Sequence, residues 1–344
     1  MDAMLADVAA RRGIRPMMGL ALIMVGLLAM TCTRKPEAIK VGFVGGLTGR
    51  TSDLGISARN GVVLAVEEQN AAGGVAGRPI ALITKDDQQD PETALKVDLE
   101  LIQEGVVAII GHLTSQMSVE AVPLVNQRHI VMLSPTTSTS QLAGKDDYFI
   151  RVIVSVADSI RHLAGYAYHD LGLSRVVVAY DTSNRSFTEE YFTIFSSTYE
   201  SMEAGQVIPV AFESGGATSF ADLATRMLAE APDGIVIAAN ALDTAILCQQ
   251  IRQRTATVKL LASGWAYTSD FLQHGGPAVE GVIFPQWYDP QSASPAFKAF
   301  ATRYEARYGK FPNFASMFGY DAAKVLIEAL HTTQDPARLK AVIL

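Results

Sequence analysis

Two loops of the chain concentrate hydroxyl groups: Gly111-His112-Leu113-Thr114-Ser115, and Ser134-Pro135-Thr136-Thr137-Ser138-Thr139-Ser140. Each follows a short apolar run with strand character, and Ser115 opens a helical pattern. A hydroxyl at a helix start, among free backbone N–H groups and the positive end of the helix dipole, suits a carboxylate. Taken singly, the first loop reads as an N-cap and the second as a turn. Two such loops on adjacent strands tip the reading toward a binding site. Other chemistry does not assemble. The loop from Gly45 to Ser52 fails the phosphate-binding pattern of Gly, four residues, then Gly-Lys-Ser/Thr, because Val44 stands where the first Gly should be and Arg50 replaces the Lys. Gly42 and Gly45 do not fit a dinucleotide GxGxxG, and neither GxSxG nor HExxH occurs. The histidines are scattered without ligand spacing, and a satisfied structural role is the better reading of His112. Asp86, Asp87 and Asp90 could suggest a metal, yet acids that end a strand and cap the helix at Pro91 are common. No catalytic residue, metal or cofactor is expected.

The elements that must carry these loops alternate almost without a break. Apolar strand runs fall at 39–44, 80–84, 106–110, 130–133, 148–154, 175–180, 207–212, 234–238, 258–262 and 281–284. Helical patterns lie between them at 57–69, 91–104, 115–127, 159–171, 187–203, 219–230 and 243–254. Continuous apolar strands flanked by helices mean parallel strands buried on both faces, hence α/β doubly wound sheets. Ten runs exceed one comfortable sheet. The C-terminal part reads as helices only, at 294–308, 315–331 and 336–343. Open α/β sheets bind ligands at strand carboxyl ends, which is where both hydroxyl loops fall.

With 344 residues the chain is too long for one ordinary core, and two domains are expected. A net charge of −7, with no basic run past the first fifty residues, argues against nucleic acid as a partner. Cys32 and Cys248 cannot make a disulfide framework or a four-Cys zinc site; Cys248 is expected as a small buried helix residue. Arg11, Arg12 and Arg15 precede an apolar stretch at 17–30, the pattern of an export signal over residues 1–31. That stretch is short of the roughly 20 residues of a membrane span. It closes on Leu28-Ala29-Met30-Thr31-Cys32, which resembles a bacterial lipobox, with Cys32 as the lipidated first mature residue and 32–37 as a tether; an ordinary cleaved signal with an incidental Cys is the alternative. On either reading the protein acts in the periplasm or at the cell surface.

Several segments together resemble one family. They are Val41-Gly42-Phe43-Val44-Gly45-Gly46-Leu47-Thr48-Gly49, Asn70-Ala71-Ala72-Gly73-Gly74-Val75-Ala76-Gly77-Arg78-Pro79-Ile80, Lys85-Asp86-Asp87 through Asp90-Pro91, and Ile110-Gly111-His112-Leu113-Thr114-Ser115. Leu133-Ser134-Pro135-Thr136, Phe149-Ile150-Arg151 and Glu280-Gly281 continue the match. The family is that of the leucine/isoleucine/valine-binding proteins, the branched-chain amino-acid receptors of ABC importers. The resemblance covers 39–344 and implies the type I periplasmic binding fold: two doubly wound parallel-sheet α/β lobes joined by a hinge. By that pattern one lobe is 38–155 plus 285–344 and the other 156–284. The family usually continues past the helix ending near Ile343 with further strands and a third crossover, so a shortened frame or a reduced variant is expected.

Carried over by position, the resemblance implies that Ser115 binds the ligand carboxylate, that a backbone group at Thr136 serves the ligand, and that the Ser138 hydroxyl contacts carboxylate and ammonium together. Leu54 falls where relatives often place an aromatic over the ligand. Phe187 or Arg185 is expected to reach the cleft from the second lobe. Amino-acid binders commonly place a carboxylate near Gly264 to pair with the ammonium; Gly264 cannot, and Asp243 is the substitute, with plain N-capping as its equal alternative. Trp265 and Tyr267 add aromatic surface, to the cleft or to lobe packing. The expected function is a solute-binding lipoprotein that delivers a small carboxylate-bearing ligand, a branched-chain or related amino acid, to the membrane permease of an ABC importer. The alternatives are an aromatic or other non-amino carboxylic acid as ligand, and a sensor rather than a transport receptor. A secreted enzyme is disfavoured for want of a nucleophile–base pair or metal set.

Overall fold

In this computed structural model, residues 36–344 are described apart from 203, 204 and 218. The expected signal at 1–31 and the lipidation at Cys32 lie outside the described residues. The chain divides into two units, Met1–Glu37 and Ala38–Leu344, and the architecture below is that of the second.

The βα rhythm builds two separate parallel sheets. β1 (Ile39–Gly45), β2 (Ile80–Asp86), β3 (Ala108–Ile110), β4 (Val131–Ser134) and β5 (Phe149–Arg151) assemble in the order β2-β1-β3-β4-β5. Their connections are α1 (Ser52–Ala71), α2 (Pro91–Gln103) and α3 (Ser115–Arg128). After α4 (Ala157–His169), β6 (Arg175–Asp181), β7 (Gln206–Phe212), β8 (Gly234–Ala238) and β9 (Lys259–Ala262) form the second sheet, ordered β7-β6-β8-β9. Its helices are α5 (Arg185–Glu200), α6 (Phe220–Ala229) and α7 (Ala241–Arg252), followed by α8 (Ser269–Gly275). The chain closes with α9 (Pro295–Tyr308), α10 (Phe314–Thr332) and α11 (Pro336–Ile343). Every residue of β3, β4 and β8 is buried, which is why those segments read as unbroken apolar runs rather than alternating ones.

Two expectations differ in detail. The strand run at 281–284 is reduced to one parallel bridge from Ile283 to Leu261, because it starts at Gly281, which turns with φ +75°, and ends against Pro285. The first helix starts five residues before the expected 57, at Ser52, on a 3₁₀ turn over Gly49–Thr51.

Sheet order fixes where a ligand can sit. Strand order reverses between β1 and β3 in the first sheet and between β6 and β8 in the second. At each reversal the following loops splay to opposite sides and leave a crevice at the strand carboxyl ends. The first crevice is framed by the loops ahead of α1 and α3, the second by those ahead of α5 and α7.

α10 packs across α1 at very close range. A Cβ on Gly61 would lie 2.0 Å from the Ser316 carbonyl oxygen, and one on Gly319 would lie 2.3 Å from that of Ala58. Only glycine lets the two backbones approach so closely. Gly319→Ala must therefore push α10 off α1, and overpacking of this kind costs about 1–3 kcal/mol. Chemical denaturation should show that loss for Gly319→Ala, whereas Gly165→Ala, inside α4 where the added Cβ meets open space, should leave stability unchanged or raise it by about 0.5–1 kcal/mol.

Candidate functional site

The two hydroxyl loops are tied together through one carbonyl. His112 O accepts hydrogen bonds from Ser134 Oγ at 2.5 Å, Thr137 Oγ1 at 3.2 Å and Ser118 Oγ at 3.4 Å. Thr136 Oγ1 donates to Leu113 O at 2.6 Å, and Thr139 N–H donates to Ser115 Oγ at 3.3 Å. Thr114 occupies the N-cap position of α3 but makes no capping bond, and Ser115 is the first helical residue. Ser115 therefore does not cap its own helix. Its hydroxyl lies at the helix N-terminus with Ser138 close by, both nearly excluded from solvent.

Beneath this loop, the His112 ring lies between two aspartates. Nδ1 is 2.7 Å from Asp87 Oδ2, Nε2 is 3.1 Å from Asp98 Oδ2, and all three side chains are fully buried. Burial alone would lower the imidazole pKa, but Asp98 and Asp87 together overcome it and push it up to about 10. The cation clamps the end of β3 to α2, which sets the position of the α3 N-terminus. Of the other two acids weighed as metal ligands, Asp86 accepts from Leu47 N–H and Thr48 Oγ1, and Asp90 caps α2 through Thr93 N–H.

Ser115, Thr136 and Ser138 line a cleft between the two sheets whose free volume of about 20 Å³ leaves room for about one water molecule. Leu54, from the start of α1, lines it, as do Phe187, in the first turn of α5, and Trp265, in the turn after β9, which meet edge to face at 5.8 Å. The opposite wall is thus apolar and aromatic. Arg185 points away and pairs with Glu189 at 3.1 Å, and Tyr267 packs on Phe284.

Asp243 does not line the cleft. Its buried carboxylate is held by Arg50 Nε at 2.6 Å and Asn240 Nδ2 at 2.9 Å, and the N-cap of α7 is Asn240. With an arginine already on it, Asp243 is not available to a ligand ammonium. Gly264 is bare for a packing reason: a Cβ there would come within 2.9 Å of the Trp287 ring and of the Pro285 carbonyl. Trp287, Phe314 and Asn184 also line the cleft and were not singled out from the sequence. Trp287 and Phe314 come from the chain's return after the last strand run, where no strand–loop–helix signal points to them. Trp287 Nε1 and Thr114 Oγ1 are buried without a protein partner, so both can donate to a bound molecule.

The His112 clamp has a pH signature. The folded protein holds a proton that the unfolded chain releases near pH 6.5, so the stabilisation is complete below about pH 6.5 and is lost as pH rises through about 10. His112→Gln leaves two buried carboxylates without a countercharge and should cost about 3–5 kcal/mol near neutral pH. Urea unfolding between about pH 6 and pH 10 should show stability falling with pH in the wild type and a flatter alkaline limb in the variant.

Comparison with known proteins agrees with this geometry. The family model described as "Periplasmic binding protein" matches residues 38–343. The Leu/Ile/Val-binding protein of Escherichia coli strain K12 is 22% identical over 318 residues, which cover 91% of this chain and 84% of that protein. The crystal structure of the leucine binding protein LivK from Thermotoga maritima superposes with a TM-score of 0.82 at 28% identity, covering 89% of this chain and 87% of that one. A solute binding protein of an ABC transporter from Rhodopseudomonas palustris BisB5, solved with 3,4-dihydroxy benzoic acid, shares the fold with a TM-score of 0.78 at 23% identity, covering 89% of this chain and 84% of that one. The match spans both sheets and the cleft between them, and the chain belongs to the periplasmic binding protein family.

Proposed function

We propose that this protein is the extracytoplasmic solute receptor of an ABC importer and that its cleft, once the two sheets part, takes a small carboxylate with an apolar body, a branched-chain or related amino acid. One observation carries the reading: Ser115 at the N-terminus of α3 and Ser138 in the loop after β4 line one small cleft together with Phe187, Trp265, Trp287 and Phe314. Neutral donors and a helix dipole hold a carboxylate without a cation, and the rings take the apolar remainder. The Escherichia coli and Thermotoga relatives, named for leucine, isoleucine and valine or for leucine, support an amino acid. The reading is of capture and delivery, with the permease as membrane partner, and the lobes divide at 155/156 and 284/285.

A second reading, a carboxylic acid without an ammonium, is favoured by a different observation. No Asp or Glu lines the cleft among the described residues, and Asp243 is engaged by Arg50. An ammonium there would be held by hydroxyls, carbonyls and ring faces only.

Both tryptophans of the chain line the cleft, so intrinsic fluorescence reports on it directly. Titration with leucine, isoleucine, valine and alanine, and with benzoate and phenylpyruvate, should give a saturable change in one set with the ligand recovered unaltered. No saturable change with either set would contradict the reading. Ser115→Ala should weaken that binding about ten- to a hundredfold, the worth of a hydrogen bond to a charged group. Unchanged affinity would leave Ser115 with a purely structural role. The reading also includes membrane tethering through Cys32. A fatty-acid probe should label the wild type and not Cys32→Ser, and equal labelling of the two would count against the anchor.

A further inference from the structure

The residues that line the cleft are almost all shut off from solvent, Ser115 at 2% and Trp265 at 5% exposure, so a ligand can enter only when the two sheets part. Whatever joins the sheets in the closed arrangement therefore contributes to affinity without touching the ligand. Most of the cross-cleft hydrogen bonds among the described residues have at least one neutral partner. Thr139 Oγ1 donates to Glu190 at 2.6 Å, and Ser186 Oγ donates to Gln116 Oε1 at 2.8 Å.

One contact differs in kind. Arg50, in the 3₁₀ turn after β1 of the first sheet, donates to Asp243 in α7 of the second, 193 residues along the chain. The Asp243 side chain is fully buried, while that of Arg50 keeps 33% of its surface exposed. Oδ1 of Asp243 takes the guanidinium and Oδ2 takes Asn240 Nδ2. The guanidinium also lies 5.4 Å from the centre of the Phe220 ring, on α6 of the second sheet. Arg50 thus leaves its own lobe to sit between an anion and an aromatic face of the other. When the lobes part, Asn240 stays with Asp243 because both belong to the second sheet's helix. Arg50 leaves, and Oδ1 must be met by water instead.

We propose that the Arg50–Asp243 pair is the latch of lobe closure, a positioning contact that sets the closed fraction and with it the affinity for every ligand of the cleft. The inference rests on the cleft being the ligand site. Because Arg50 does not line the cleft, loss of the latch lowers the population of the binding-competent arrangement, and apparent affinity falls in proportion. The factor is the same for each ligand, unlike the loss of a ligand contact. It is also sensitive to salt, since Arg50 is partly exposed.

The test uses Arg50→Met, Arg50→Lys, Asp243→Asn and the double variant Arg50→Met/Asp243→Asn, with those members of the panel (leucine, isoleucine, valine, alanine, benzoate, phenylpyruvate) that bind the wild type. Arg50→Met should weaken all of them by one common factor of about ten- to a hundredfold. Arg50→Lys should recover part of the loss. Asp243→Asn should cost little more once Arg50 is gone. Small-angle scattering without ligand should show a larger radius of gyration for Arg50→Met than for the wild type. Unchanged affinity in Arg50→Met, a factor that differs between ligands, or identical scattering would overturn the latch. A wild type that binds none of the panel overturns the ligand reading instead, and the scattering comparison still decides the latch.

Discussion

A carboxylate withdrawn from water must be met by a cation or by hydrogen-bond donors, and that requirement organises the surroundings of the cleft. Four aspartates are buried among the described residues: Asp87, Asp98, Asp181 and Asp243. Asp87 and Asp98 share the His112 imidazolium. Asp181, whose carboxyl is pushed up by burial, takes the backbone N–H groups of Ser183 and Ser214 and the Ser183 hydroxyl. Asp243 takes Arg50 and Asn240. Each has its partner within the protein, and none faces the ligand space. The cleft is left with neutral donors, a helix N-terminus and aromatic rings. An anionic group joined to an apolar body is what such a lining accommodates best.

The same compensation links the site to the fold. His112 holds β3 to α2 through two acids, and its carbonyl gathers Ser118, Ser134 and Thr137, so the loop that presents Ser115 is fixed from below and from the side. On the far wall, Gly264 admits the Trp287 ring where any larger side chain would collide with it. The first wall is fixed by hydrogen bonds and the second by packing. The position of one wall relative to the other depends on contacts across the cleft, of which Arg50–Asp243 joins two charged groups.

The sequence made the local parts legible and hid the long-range ones. Strand runs such as 234–238 stand out because strands buried on both faces have no polar alternation. The loops at 111–115 and 134–140 follow from them, since a parallel sheet gathers its carboxyl-end loops at one edge. Ser115, Thr136, Ser138, Leu54, Phe187 and Trp265 all lie around the one cleft. From the sequence Asp243 reads equally as a ligand group or an N-cap; its partner is Arg50, which no local pattern connects to it. The His112 partners lie 25 and 14 residues away on either side of a helix start. Trp287 and Phe314 reach the cleft because the chain returns from the second sheet to the first, a path set by tertiary packing. The segment at 281–284 reads as a strand and forms a single bridge, since apolar content sets burial while Gly281 and Pro285 limit pairing.

The claim at the centre of this account is that the cleft recognises a carboxylate through uncharged donors at the start of α3. It is tested most directly by calorimetric titration of matched acid and amide pairs, leucine with leucinamide and benzoate with benzamide. The amide keeps the body and shape of the ligand and exchanges the charged, acceptor-only carboxylate for a neutral group with one acceptor oxygen and an NH2. The account predicts that at least one acid binds and that its amide binds more weakly by about tenfold or more. An amide that binds as tightly as its acid would contradict it.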